Sequence, residues 1–373
     1  MLLLTIALIL FPLAFLDKAF TDKTKKYIVF AFCVLFTVLG SVRWNTGTDW
    51  DAYYYGFLSA DSLDYVLYSP YAFEKGFGLL NFIILNYFNS YTVFLLVFTF
   101  ITVFLKYKVI THKIFLNYAL FSLFAYYCIF IGDIVATRQS MAVSITLFST
   151  LFIIRKKLVW FILTVILASS IHRSAIVFIV AYPLFNYDFR QKTLILIYFI
   201  GLTLGLIFQQ VGVSSFNIPF ISSFESLSTY SDKISGYSET GQVSYGKASE
   251  GLLMMLGYIK SILIMLPVLY LHKNQKNIYT RLLNLLVFGS LVYFTLGAIS
   301  SDFKRLNAYF SVYEILVIPY FIYSLKNKNT RYLLILFFCL ILFNRVYSAI
   351  YNFWDLYHPF LTIFDSNNYR INV

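Results

Sequence analysis

The chain has 373 residues, of which 60% are hydrophobic, 21% aromatic and only 12% charged, with a formal net charge of +12. Apolar runs long enough to enter a bilayer recur from one end to the other, more than a water-soluble core absorbs, which excludes a soluble globular domain. In hydrocarbon every backbone amide needs an internal partner, and the alternation here is too weak for barrel strands, so the expected fold is all-α, a polytopic integral membrane protein.

In chain order the predicted segments are roughly 2–16, 27–42, 76–105, 115–131, 134–154, 158–171, 174–187, 193–211, 251–271, 282–300, 306–325 and 332–350. They amount to about 12 transmembrane helices in a single membrane domain over 1–373. The run 76–105 is expected to break near Asn89-Ser90. The first segment lacks a basic leader and an A-x-A-like cleavage site, and so reads as a helix rather than a signal peptide. Two longer stretches, 43–75 and 212–250, read as outer loops. The second, rich in Ser, Gly and Tyr (SLSTYSDKISGYSETGQVSYGK), suits an exposed segment that covers or gates a site.

Charge orients the helices. The loops 17–26, 106–113, 155–157, 188–192, 272–281 and 326–331 hold 18 of the 29 Lys and Arg but only three acids, Asp17, Asp22 and Asp188. The opposite loops and the tail 351–373 hold nine Lys and Arg and 13 acids. By the positive-inside rule the first set is cytoplasmic and both termini are outside. Most of the positive surplus is therefore topological, and nucleic acid is not an expected partner.

Cys33, Cys128 and Cys339 all fall within apolar spans and read as inert core thiols. No phosphate-binding glycine loop, H-E-x-x-H or G-x-S-x-G occurs, and no cofactor is expected.

Once the topological charges are set aside, the remaining ones gather at outer helix ends: Arg43, Asp49, Asp51, Glu74, Asp133, Arg138, His172, Arg173, Asp302, Lys304 and Arg305. Ionisable groups at a membrane boundary are costly unless paired or working, so a one-sided collection points to a shared outward-facing cavity, against the alternative that each caps a helix or snorkels. In GTDWDAYYY, Asp49 and Asp51 are spaced to act as a metal pair or as a base with its orienting partner, and the tyrosines suit an interface or a sugar face. Arg138, one turn inside a hydrophobic helix beside Gln139, suits an anionic head group, with an ion pair to Asp133 as the alternative. His172, beside Arg173 in ASSIHRSAI, suits a general base or a phosphate contact. Lys304 and Arg305 open a helix whose dipole already points positive charge outward, a conflict that an anion would relieve.

R-x-x-x-G-T-D-x-x-x-Y-Y (Arg43, Gly47, Thr48, Asp49, Tyr53, Tyr54), F-E-K-G-F (Phe73 to Phe77), R-Q (Arg138-Gln139), H-R-S-A (His172 to Ala175) and R-x-x-x-Y (Arg305 to Tyr309) follow one another in the chain. In this order the chain resembles the EpsG family of Wzy-like polymerases in exopolysaccharide and O-antigen assembly, over about residues 27 to 325. The resemblance implies a multi-pass glycosyltransferase of the bacterial inner membrane. It would join oligosaccharide units carried on undecaprenyl diphosphate at the periplasmic face. It implies Asp49, Glu74 and His172 as the catalytic candidates, and Arg138, Arg305, Arg173 and Lys304 on the diphosphate. Arg43, Tyr53, Tyr54, Gln139 and Tyr309 would bind glycan, with no metal. The implied partners are the undecaprenyl-diphosphate-linked glycan, membrane lipid and a chain-length regulator protein.

Other classes account for the residues less completely. A flippase or transporter of the same lipid-linked sugar is expected to carry polar groups on both faces and near the midplane, where this chain offers only Lys260, Glu314 and Arg345. An acyltransferase would use His172 and leave the aspartates and arginines idle. An O-antigen ligase shares the chemistry and differs in acceptor.

Overall fold

The computed structural model describes residues 1–135, 138–211, 250–272, 276–299 and 301–365. The predicted outer loop 212–250 therefore lies outside the described residues, except for Glu250. Among the described residues 82% are helical and none forms a strand. The helices are α1 (Leu2–Leu10), α2 (Asp22–Val42), α3 (Trp50–Leu58), α4 (Leu63–Tyr68), α5 (Lys75–Phe88), α6 (Tyr91–Ile110), α7 (Ala119–Ile129), α8 (Arg138–Ile154) and α9 (Leu158–Ile171). A 3-10 stretch, Arg173–Val180, runs into α10 (Ala181–Asn186). Then come α11 (Gln191–Val211), α12 (Glu250–Leu271), α13 (Ile278–Ile299), α14 (Glu314–Tyr323) and α15 (Lys328–Asn352).

Among the described residues each predicted segment is mainly helical, but length separates them. Among the described residues six helices are long and apolar enough to cross a membrane: Asp22–Val42, Tyr91–Ile110, Gln191–Gln209, Ile278–Ala298, Arg305–Tyr323 and Lys328–Asn352. Six shorter apolar helices accompany them among the same residues. A helix such as α9, with 14 residues, reaches only about 21 Å, less than a ~30 Å hydrocarbon core. The expected break at Asn89-Ser90 is present. Asn89 takes a left-handed conformation (φ 43°) that stops α5, and the Ser90 hydroxyl accepts from the Val93 amide at 3.4 Å to start α6.

The centre of the molecule is α7, whose residues Ala119 to Cys128 are all buried. A helix apolar on every side must be enclosed by others, and α7 packs against α1, α2, α14 and α15. Its free N-terminal amides are satisfied from a distance, since the Asp17 carboxylate accepts from the Leu120 and Phe121 amides, both at 2.9 Å. Burial pushes the Asp17 carboxyl up to about 7, against those same two hydrogen bonds.

Two sequence expectations about charge are corrected here. Lys106, assigned to a cytoplasmic loop, lies inside α6, and Asp133, assigned to the outer collection, is its partner. Lys106 Nζ lies 2.6 Å from Asp133 Oδ2 and 2.8 Å from Ser144 Oγ, and the Tyr126 hydroxyl donates to the same Asp133 oxygen at 2.8 Å. Both charges are enclosed, at 0% and 1% side-chain exposure. The apolar run of α6 continues to Ile110, so Lys106 is drawn into the protein and survives there only because an acid meets it. Glu314 and Arg345 likewise pair, at 2.8 Å. Cys33, Cys128 and Cys339 are buried and free, as expected.

The stretch 43–75 is structured by α3 and α4 and is clasped by the chain's tail. The Trp44 amide donates to Leu361 O at 2.9 Å, Gly47 N to Leu356 O at 3.2 Å, and Leu361 N to the Thr46 hydroxyl at 3.1 Å.

Candidate active site

Glu74 stands immediately before α5 but does not cap it with its side chain. Its carboxylate instead collects donors from two other elements. Arg138 Nη1, at the start of α8, donates to one oxygen. His172 Nδ1 (3.3 Å) and the Arg173 amide (3.2 Å), at the turn that ends α9, address the other. An ionised carboxylate only accepts, so His172 carries its proton on Nδ1 and presents Nε2 as the free nitrogen when the ring is neutral.

Small residues bring these groups together. A Cβ at Gly76 would stand 2.8 Å from the Ser170 carbonyl oxygen, so only glycine lets the first turn of α5 lie against the last turn of α9 and seat Glu74 beside His172. A Cβ at Gly56 would overlap the Phe73 ring. That ring is the platform of Arg138, whose guanidinium carbon lies 4.2 Å from its centroid, with Phe77 and Tyr53 at 5.8 and 5.7 Å. The cluster is part-buried, with side-chain exposures of 12% for Arg138, 17% for Glu74 and 19% for His172.

Burial alone would raise the Glu74 carboxyl, but the His172 hydrogen bond and the Arg138 charge outweigh it and hold the group down at about 2. Glu74 is thus an anion at any physiological pH. The Tyr53 hydroxyl accepts from the Arg138 amide at 3.4 Å. Burial and the Asp49 charge push its phenol up against the pull of Arg138, keeping it protonated.

The other elements close around this group. Gln139 Nε2 donates to the Arg305 carbonyl oxygen at 2.6 Å, and the Ser174 and Tyr309 hydroxyls are 2.9 Å apart. Residues from F-E-K-G-F, R-Q, H-R-S-A and R-x-x-x-Y therefore meet at one end of the bundle. Arg173 and Arg305 contribute backbone to the cluster while their side chains are exposed. The Lys304 stem lies along Gly297.

The first motif divides. Tyr53 joins the cluster, whereas Tyr54 belongs to an aromatic group with Trp44, Trp50 and Tyr91, at 5.1 to 6.3 Å between centroids. Asp49 is exposed at the start of α3 and, among the described residues, its side chain makes no hydrogen bond. Arg43 is 1% exposed. It donates through Nη1 to the Thr46 carbonyl oxygen at 2.5 Å and lies 5.0 Å over Trp50, while its Nε and Nη2 have no partner among the described residues. The alternative pair of Arg138 with Asp133 is not what forms: Arg138 pairs with Glu74, and Asp133 with Lys106. Among the described residues no three His, Cys, Asp or Glu side chains converge as a metal site would need.

Two contributors escaped sequence reading. Phe73 stands in a recognisable motif, but its role as a platform depends on Arg138, at the start of α8, being brought over its ring. The tail that clasps residues 44–47 carries no local signal at all.

A family model described as the EpsG family matches residues 26–361. No curated protein and no solved structure matches the chain.

Proposed function

The chain belongs to the EpsG family, whose membership implies a membrane polysaccharide-polymerase-like role, and from that premise we propose a glycosyltransferase that lengthens lipid-linked glycan at the outer face of the bacterial inner membrane. Its substrates are oligosaccharide repeat units on undecaprenyl diphosphate. The observation that carries this reading is the convergence of Arg138, Glu74 and His172 from three separate motifs on one part-buried cluster.

The chemistry follows from that arrangement. A hydroxyl of the acceptor sugar attacks the anomeric carbon of the donor, and the bond from that carbon to the diphosphate oxygen breaks. The proton passes from the hydroxyl to His172 Nε2, and the electron pair leaves with the diphosphate. His172 suits the base better than Glu74, because a carboxyl held at about 2 is a weak proton acceptor, while its hydrogen bond orients the imidazole. Arg138, fixed on Phe73, faces the leaving diphosphate, and the exposed Arg305, Arg173 and the neighbouring Lys304 extend that positive rim. Asp49 and Tyr54 line the approach of the glycan. A donor already activated by its diphosphate requires no nucleotide.

Gene deletion with complementation tests this. Loss of the long polysaccharide ladder with a single repeat unit retained, restored by wild type and not by Arg138→Ala, is the expected result. Lipid-linked units trapped inside would make the protein a flippase. Units accumulating outside but unattached would make it a ligase.

A further inference from the structure

At the end of the helices opposite Glu74, a cavity of about 440 Å³ opens where the turn between α10 and α11 meets the end of α12 and the start of α13. Its walls are stapled together. Asn284 Nδ2 donates to the Leu184 and Tyr187 carbonyl oxygens at 2.9 and 2.7 Å, and Gln191 Nε2 to those of Leu269 and Tyr270 at 2.8 and 3.1 Å. Arg281 Nε pairs with Asp188 at 3.0 Å.

Four cations line this hollow, Arg190, Lys192, Lys276 and Arg281, against the single acid Asp188. With histidine neutral, three positive charges are left in excess. Asp188 is engaged by Arg281, and among the described residues Arg190, Lys192 and Lys276 have no ion-pair partner. Orientation in the membrane accounts for cations on this side, but it does not require two separate stretches, 190–192 and 276–281, to bring them to one cavity. Tyr187, which lines the cavity, is 60% exposed, and Tyr270, whose carbonyl oxygen Gln191 reaches, 72%, as suits aromatic rings at a membrane–water interface.

We propose that this cavity binds a phosphate-bearing anion, with the headgroup of an anionic phospholipid as its source. A pocket between helices at headgroup depth, positively charged and polar at its base, matches a phosphodiester better than a neutral or zwitterionic group. The excess charge would then be neutralised in place. The site is independent of the transferase reading, since it lies at the other end of the bundle and shares none of its residues.

The test is native mass spectrometry of the delipidated full chain in detergent, with phosphatidylglycerol or phosphatidylcholine added. Wild type is expected to retain phosphatidylglycerol over phosphatidylcholine. Arg190→Gln with Lys276→Gln, which leaves the Arg281–Asp188 pair intact, should lose about tenfold of that retention. Lys192→Gln, exposed on the first turn of α11, should show a smaller loss of the same sign and covers the case in which the double variant does not fold. Lys156→Gln with Lys157→Gln, in the basic turn outside the cavity, should change little. Inorganic diphosphate that displaces the lipid would show that phosphate alone suffices, whereas indifference to it would assign the site to the intact lipid. Equal retention by wild type and the cavity variants, or an equal loss in the control pair, would overturn the proposal and leave the cations as orientation signals only.

Discussion

His172 Nδ1 lies 3.3 Å from Glu74 Oε1 across 98 residues of chain, while the other Glu74 oxygen is held by Arg138. One carboxylate thus sets the tautomer of an imidazole and the position of a guanidinium together. Neither side chain can be re-aimed without disturbing the other.

Glu74→Gln tests that coupling. The amide has one acceptor oxygen and no charge, so it cannot serve both partners. Polymer formation should fall by about 100-fold, within the span typical of lost acid–base catalysis, with protein level in the membrane near normal. His172→Ala should fall comparably, and the double variant little further, because the two act as one unit. A double variant that multiplies the two losses would show that they act independently.

Arg138→Lys is the second test. A lysine keeps the charge but loses both the planar fork and the stacking on Phe73. Chain growth in a membrane assay should drop at least about tenfold. Phe73→Leu, which leaves the guanidinium but removes its platform, should cost about 1 kcal/mol of thermal stability and shorten the polymer less than Arg138→Lys does. Full activity in Arg138→Lys would remove the fork from the mechanism.

Acid should act through Glu74 in a defined window. Its carboxyl is depressed from an ordinary 4.5 to about 2, so the stabilisation is fully present above about 4.5 and is lost as pH falls toward 2. The full effect is on the order of 3 kcal/mol. The melting temperature of the purified protein should therefore decline below about pH 4.5, and Glu74→Gln should flatten that limb. An unchanged limb in the variant would assign the acid loss to other groups.

Lys106 and Asp133 give a prediction about stability alone. Breaking an enclosed ion pair leaves a bare charge, so Lys106→Met should cost about 3–5 kcal/mol. Lys106→Met with Asp133→Leu should recover most of it, because the pair's own desolvation disappears and Asp133 Oδ1 has no partner among the described residues to lose. Thermal melts of the three proteins in one detergent decide the matter, and a double variant as unstable as the single one would give the pair a positive worth.

The tail should prove structural. Deleting residues 353–373 removes the acceptors of the Trp44 and Gly47 amides and uncovers Arg43. Limited proteolysis should then cut within 43–50, where the full chain is expected to resist. Equal resistance would show that α3 holds this stretch unaided.

What the sequence determined by itself was everything that depends on near neighbours. Hydropathy along the chain located the helices, because an apolar run in hydrocarbon has no alternative to internal hydrogen bonding. Asn89-Ser90 marked a break because stop and start signals act within one turn. Motif order was enough to place Glu74, Arg138 and His172 among the candidates, and the charge asymmetry of the loops put all three at one end of the helices.

Only the tertiary structure decided which charges meet. Lys106 stands four residues from the end of its helix and looks like any orienting lysine, until α7 and α8 bring Asp133, Tyr126 and Ser144 around it. Arg138 had a nearer acid in Asp133 and took the distant Glu74 instead. Asp49 shares a motif with Tyr53 yet stays exposed, because α3 turns only one of the two toward the cluster. Electrostatic partnership falls off over a few ångströms through space and is indifferent to separation along the chain, so the packing of helices, which no local pattern encodes, has the last word.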